Sequence, residues 1–314
     1  VRFTVDPWDP SYGASVESEL GQSPIEAEVE VEVAREAWAP IDPGPEVAAP
    51  DAVLFVDGVR RVEARAWIEH DDGSVPGLFA SYAAGAVRCD GTARIVDPLV
   101  ERGVFAPGLG LDDIDTRHGR FVAHVADDAT PQKLMKTLLG AMADVEVTVA
   151  ERARRAGDEL LLLDGPLRHR RHVPNAVGIV KTHDVKYLQP AEDAVVARLG
   201  AGRRTPVFRV DAQPFSRYSW YTRLPGPPGG PWAGVVRCEA TGALGSAAVV
   251  ALADTVTATL PMFASAPHKD ARAPQNLYPI GGLERALRHR LGDAAVVYRA
   301  LRRASATFVI APAG

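Results

Sequence analysis

Two cysteines, Cys89 and Cys238, are all the thiols in 314 residues. They cannot make a zinc site alone and give no disulfide framework, so a reducing, cytoplasmic setting is expected. There is no block of lysine or arginine and no basic tail, and the net charge is -5. That excludes indiscriminate electrostatic binding to nucleic acid, so any contact with phosphate has to come from local basic patches. No basic segment followed by an apolar run opens the sequence, and no secretory leader is expected. The longest apolar stretch, residues 244–260, is interrupted by Gly, Ser, Thr and Asp254 and does not read as a membrane span. No phosphate-binding loop of the GxxxxGK[ST] type is present, so an ATP-driven step would belong to a partner.

What is there is ordinary for a globular protein: 46% apolar and 24% charged residues, enough to bury a core and too many apolar positions for disorder. Residues 1–24 are rich in Pro, Asp, Gly and Ser and read as an irregular arm. Glutamates then alternate with apolar residues over 26–33, the pattern of a strand with one solvated face. Proline-rich residues 41–52 lead out of this arm, which ends near residue 50, into a domain spanning 51–314.

Within that domain, Val53-Leu54-Phe55-Val56-Asp57-Gly58-Val59 reads as a buried strand, residues 62–69 as a second, alternating one, and residues 77–87 as a third. A turn at Asp71-Asp72-Gly73-Ser74 suggests an antiparallel meander. Residues 90–130 show no clear pattern. Thr130-Pro131 is a helix start, and Leu134, Leu138, Met142, Val145, Val149 and Ala153 form its apolar stripe up to Ala156-Gly157. Leu160-Leu161-Leu162-Leu163-Asp164-Gly165 follows as a strand buried on both faces, and residues 177–181 as the next. Residues 203–236 read as further strands with a hairpin tip at 225–230. Helices are expected over 245–260 and over 283–302, the latter with a weak point at Gly292. The fold class is α/β: a mixed sheet flanked by helices, with additional strands in the C-terminal half. Asp-Gly on the first strand and again on the strand after the helix is the layout of ribonuclease-H-like nucleases.

Such enzymes add a carboxylate from the intervening helix, which offers Glu146 and Glu151. Glu146 lies on the apolar stripe and should face the sheet; Glu151 should face solvent. Burying a glutamate costs several kcal/mol unless it is paired or holds a metal, so Glu146 is preferred. Three converging carboxylates make an oxygen-rich site for Mn²⁺ or Mg²⁺ and for phosphodiester hydrolysis. The bland alternative is turn chemistry, which Asp-Gly also serves.

Phe55-Val56-Asp57-Gly58, Leu162-Leu163-Asp164-Gly165-Pro166-Leu167, Val177-Gly178-Ile179-Val180-Lys181-Thr182 and Tyr278-Pro279-Ile280-Gly281-Gly282-Leu283 resemble, in this order, segments of the NurA nuclease family. The resemblance implies a ribonuclease-H-like core, a homodimer, and a Mn²⁺-dependent nuclease acting on DNA ends in double-strand break repair beside a HerA-type hexameric ATPase. It also implies roles for particular residues. Asp57 and Asp164 match the metal-binding aspartates and Glu146 the helix glutamate. Lys181 would hold the scissile phosphate or a water. His289 stands nearest to the family's late histidine and would be a metal ligand or proton donor, or else a solvated helix residue. The basic cluster Arg168, Arg170 and Arg171 beyond Asp164, and Arg217 and Arg223 among aromatics, are the candidates for DNA contact. Two other readings fit the same residues: an inactive docking or DNA-clamping subunit, and a ribonuclease or resolvase on the same core.

Overall fold

The computed structural model describes residues 21–309 apart from 23, 24, 26, 49, 71–72, 109–110, 156–158, 184 and 213–214. Residues 1–20 of the expected arm, the Asp71-Asp72 turn and the helix end at Ala156-Gly157 therefore lie outside the described residues. The described part of the chain opens on the short strands β1 (Gly21–Gln22) and β2 (Ala27–Glu28), then three long ones: β3 (Val53–His70), β4 (Gly73–Cys89) and β5 (Ala93–Ala106). β6 (Ile114–Thr116) and β7 (Gly119–Val125) precede helix α1 (Pro131–Ala153). Next come β8 (Leu160–Asp164), β9 (Ala176–Val180), β10 (Val185–Lys186) and α2 (Pro190–Ala197). β11 (Phe208–Ala212), β12 (Phe215–Arg223) and β13 (Val235–Thr241) lead to α3 (Ser246–Thr259), α4 (Tyr278–Arg290) and α5 (Ala294–Val309). The architecture is mixed α/β, with a large mixed sheet flanked by helices.

The chain divides into two compact units. The first comprises Val1–Phe55, Val87–Arg94 and Arg154–Gly282; the second comprises Val56–Ala86, Ile95–Ala153 and Leu283–Gly314.

In the first unit the strand order is β2-β11-β12-β13-β9-β8, with the start of β3 next to β8. The four leucines of β8 are buried, as a strand covered on both faces requires, and β8 runs parallel to β9 with Leu163 opposite Gly178. β13 is antiparallel to both β9 and β12. A core of Trp38, Leu188, Val195, Phe208, Val210 and Tyr221 lies beside them. The alternating stretch at 26–33 is a strand only over Ala27–Glu28. The chain then turns, because Glu32 is drawn inward to the buried Arg204: its carboxylate accepts from both terminal nitrogens of Arg204 and from the Val207 amide, all at 2.8 Å. α3 with the turn after it, Ser246–Phe263, is long and apolar enough to cross a membrane by length and composition. Here its Asp254 pairs with Arg204 at 2.7 Å and its Thr257 hydroxyl meets that of Thr222.

His183 also belongs to this unit. It packs on Trp232, its Nε2–H donates to the Val235 carbonyl at 3.0 Å, and burial pushes its pKa down to about 4. A histidine kept neutral in the folded state binds fewer protons than the unfolded chain between pH 6.5 and about 4. Its share of stability is therefore complete above pH 6.5 and is lost as pH falls through that window, at up to about 1.4 kcal/mol per pH unit. Urea unfolding at pH 6.5 and 5.0 should show His183→Phe losing roughly 2 kcal/mol less than the wild type on acidification. Equal losses would contradict this.

In the second unit the order is β3-β4-β5-β7-β6, with β7 parallel to β5 and antiparallel to β6. The two strands expected over 53–69 are one strand of 18 residues. What looked like a break at Arg60-Arg61 is a change of burial along one strand, from covered on both faces to partly exposed. β4 shows the period of two that a sheet imposes. Leu78, Ala80 and Tyr82 pack against Leu134, Leu138 and Ala141 of α1. Phe79 on the other face packs with Val297 and Leu301 of α5. Farther along that face, a Cβ on Gly85 would lie 3.0 Å from the Leu283 side chain of α4. The helix expected over 283–302 is split in two, because Gly292 adopts a φ of 79° and ends α4. Arg61 donates to the Gly292 carbonyl at 2.7 Å and closes that corner.

Candidate metal centre

Leu54, Phe55 and Val56 are fully buried, so β3 enters its carboxylate from a rigid base; Asp57 itself is 7% exposed. Its Oδ1 accepts from the amide of Gly58 at 2.8 Å. α4 brings Glu284 to the same place, with one carboxylate oxygen within 4.8 Å of one from Asp57. α1 brings Glu146, which is 4% exposed. A Cβ on Gly58 would stand 2.5 Å from Glu146 Oε1 and 3.2 Å from Met142 Cγ. Glycine is thus what lets the helix carboxylate come down onto the Asp57-Gly58 step. Glu151 is exposed, on the side of α1 that the periodicity predicted.

The carboxylates of Asp57 and Glu284 approach each other closely, and a divalent cation between such charges offsets their repulsion. An all-oxygen donor set suits Mn²⁺ or Mg²⁺, not the thiolate-seeking metals. The residues present therefore fit a hard divalent ion. Glu284 is the acid that sequence reading missed. It carried the same signal as Glu146: a carboxylate on an apolar stripe, four after Ile280 and three before Leu287. Gly58→Ala should push Glu146 and Met142 aside and cost about 1–3 kcal/mol, read as a lower urea midpoint. Unchanged stability would mean the cradle is not tight.

In the first unit, β8 delivers Asp164 and the chain turns at once through Gly165, whose φ is +83°. Gly178 of β9 permits this loop to pass: a Cβ there would lie 2.8 Å from the Gly165 carbonyl oxygen. Three further bonds fix the loop. Arg170 donates to the carbonyls of Asp164 and Pro166 at 2.8 and 2.7 Å, and the Leu167 amide donates to Glu239 at 3.1 Å. Lys181 Nζ lies 2.7 Å from Asp164 Oδ1 and 2.8 Å from Oδ2, and donates to Asn276 Oδ1 at 2.9 Å. Asn276 in turn donates to Asp270 at 2.7 Å. Burial works to raise the Asp270 carboxyl, but hydrogen bonds from the Arg272 amide and Asn276, with the charges of Arg272 and Lys181, hold it below its ordinary range.

The residues expected to contact DNA fall into two groups. Arg168 and Arg171 are exposed. Arg170 is buried under the Asp164 loop, and Arg217 is buried against Glu239 at 3.1 Å with its guanidinium over the Tyr187 ring. Arg223 donates to the carbonyls of Ala233, Pro231, Val196 and Ala197. These three arginines hold the protein's own loops and strands together, and Trp220 and Tyr221 between them are core. His289 is exposed near the end of α4.

A search of curated proteins finds no match. A family model of the NurA domain matches residues 51–286, a span that takes in Asp57, Glu146, Asp164, Lys181 and Glu284. The match covers most of the sequence, and the chain belongs to the NurA domain family, a family of nucleases.

Proposed function

We propose that this protein is a metal-dependent deoxyribonuclease that hydrolyses phosphodiester bonds at DNA ends during break repair. It would work as a homodimer beside a HerA-type ATPase. The observation that carries the reading is the approach of the Asp57 and Glu284 carboxylates at a step where Gly58 admits Glu146, in a chain of a nuclease family. The proposed ligands are Asp57 and Glu284 of the second unit, with Glu146 reaching the Asp57-Gly58 step, and Asp164 joins the proposal as the match to the family's second aspartate; Mn²⁺ or Mg²⁺ held by them would supply an activated water and stabilise the leaving oxygen. Lys181 orients the Asp164 carboxylate through its two contacts and is itself held by Asn276. Its ammonium is then available to neutralise a phosphate oxygen as charge builds there. A ribonuclease-H-like core is part of the proposal, supported by β3, β4 and β5 lying side by side in chain order in the second unit and by the parallel β8 and β9 of the first.

The test is incubation with end-labelled linear DNA and Mn²⁺, beside Asp57→Ala and Asp164→Ala. Cleavage by the wild type and its loss in both variants is the expected result. No cleavage by the wild type, alone or with its ATPase, would leave only a docking or clamping role. Labelled RNA in the same assay is expected to stay intact; preferential RNA cleavage would mean a ribonuclease on this core.

A further inference from the structure

A basic surface of the second unit is made of arginines that the proposed site does not use. Residues 278–309 carry six arginines against two acids, Glu284 and Asp293, in a chain whose net charge is -5. On α5, Val297, Ala300 and Leu301 are buried, while Arg302 and Arg303 lie three and four residues after Arg299, all three exposed. Tyr298, four residues before Arg302, is 45% exposed beside them. On α4, Arg285, Arg288 and Arg290 are exposed as well. Among the described residues these six make a single ion pair, Arg288 with Glu284 at 3.8 Å. Arginines so lightly engaged contrast with Arg170, Arg217 and Arg223, whose donors are spent on the protein itself.

We propose that the exposed face of α5, continued by the arginines of α4, binds the sugar-phosphate backbone of the DNA substrate and leads it to Glu284. The inference rests on the nuclease reading for its destination, though not for the binding. Guanidinium groups suit phosphate oxygens by their fork of donors. The row starts one helical turn from Glu284, and an exposed tyrosine among arginines offers a face on which an unpaired base stacks.

The full chain and the triple variant Arg299→Gln/Arg302→Gln/Arg303→Gln are compared by fluorescence anisotropy with a labelled 20-base-pair duplex, in EDTA, across 50–200 mM salt. The variant should bind at least about 10-fold more weakly at 100 mM. The slope of log affinity against log salt should be shallower by about 2.7, the amount expected for three lost phosphate contacts. The matching triple Lys variant should recover most of the slope, which separates lost charge from a damaged helix. Affinity and slope equal to the wild type would overturn the proposal and leave the arginines to an acidic protein partner. Hydrolysis of thymidine 5′-(4-nitrophenyl phosphate) with Mn²⁺ is measured on both proteins, because it needs the metal site and not the extended face. Equal rates with weakened duplex binding support the proposal. A wild type inert on every substrate, with duplex binding still lost in the variant, would refute the nuclease reading and leave the binding face standing.

Discussion

Asp57→Asn is expected to abolish metal-dependent cleavage and at the same time to make the metal-free protein more stable. The two effects come from one arrangement. Asp57, itself buried, and Glu284 hold carboxylate oxygens within 4.8 Å of each other, so their like charges repel. Neutralising one should relieve repulsion on the order of 1–2 kcal/mol, taking an intermediate effective dielectric. Residues that merely support metal ligands cost 10–100-fold when lost; a ligand should cost more, so the drop in rate should exceed roughly 10²-fold. A melting-temperature series with and without Mn²⁺ separates this from damage to the fold. The wild type should gain stability with Mn²⁺ as any ligand bound to the folded state confers it; Asp57→Asn should melt higher than wild type without metal and gain little with it. A lower melting temperature in the absence of metal would show that the carboxylate is held by hydrogen bonds worth more than the repulsion.

The largest stability loss is expected from Glu239→Gln. Glu239 is 1% exposed and lies on β13, where it accepts from Arg237 at 2.8 Å and from the Leu167 amide at 3.1 Å and pairs with Arg217 at 3.1 Å. Removing its charge leaves two buried guanidinium groups without their shared counter-ion, and breaking a buried pair in this way costs about 3–5 kcal/mol. The Leu167 bond also helps to hold the loop after Asp164, so the rate of cleavage should fall together with the urea midpoint. Glu239→Asp keeps the charge but shortens the reach, and should recover part of the stability. Glu239→Gln unfolding at the wild-type midpoint would show that the two arginines find other partners, such as Tyr187, whose ring lies under both.

The parts of the site that were legible in the sequence are those set by local pattern. Four consecutive leucines before Asp164 could be covered only on both faces, and the stripe from Leu134 to Ala153 put Glu146 inward and Glu151 outward. Glu284 escaped because the last helix was expected to begin at Leu283, where a glutamate is an ordinary first-turn residue. The helix starts at Tyr278, which places Glu284 in its middle, between Ile280 and Leu287 on the buried stripe. Arg217 and Arg223 were read as a nucleic-acid surface because an inward arginine is recognisable only by its partner. For Arg217 that partner is Glu239, diagonal to it across the β12–β13 pair and invisible to any local window. The single strand β3 was read as two because a shift from double-sided to single-sided burial imitates a turn in the hydrophobic pattern.

Mn²⁺ binding itself, followed by the electron paramagnetic resonance signal of the free ion during titration of metal-stripped protein, tests the central claim without reference to any substrate. The wild type should bind the ion. Asp57→Asn, Asp164→Asn and Glu284→Gln should each weaken binding by more than about 10-fold, while Glu151→Gln, on the exposed side of α1, should bind as the wild type does. Undiminished binding by all three acidic-site variants would contradict the assignment of the metal to these carboxylates.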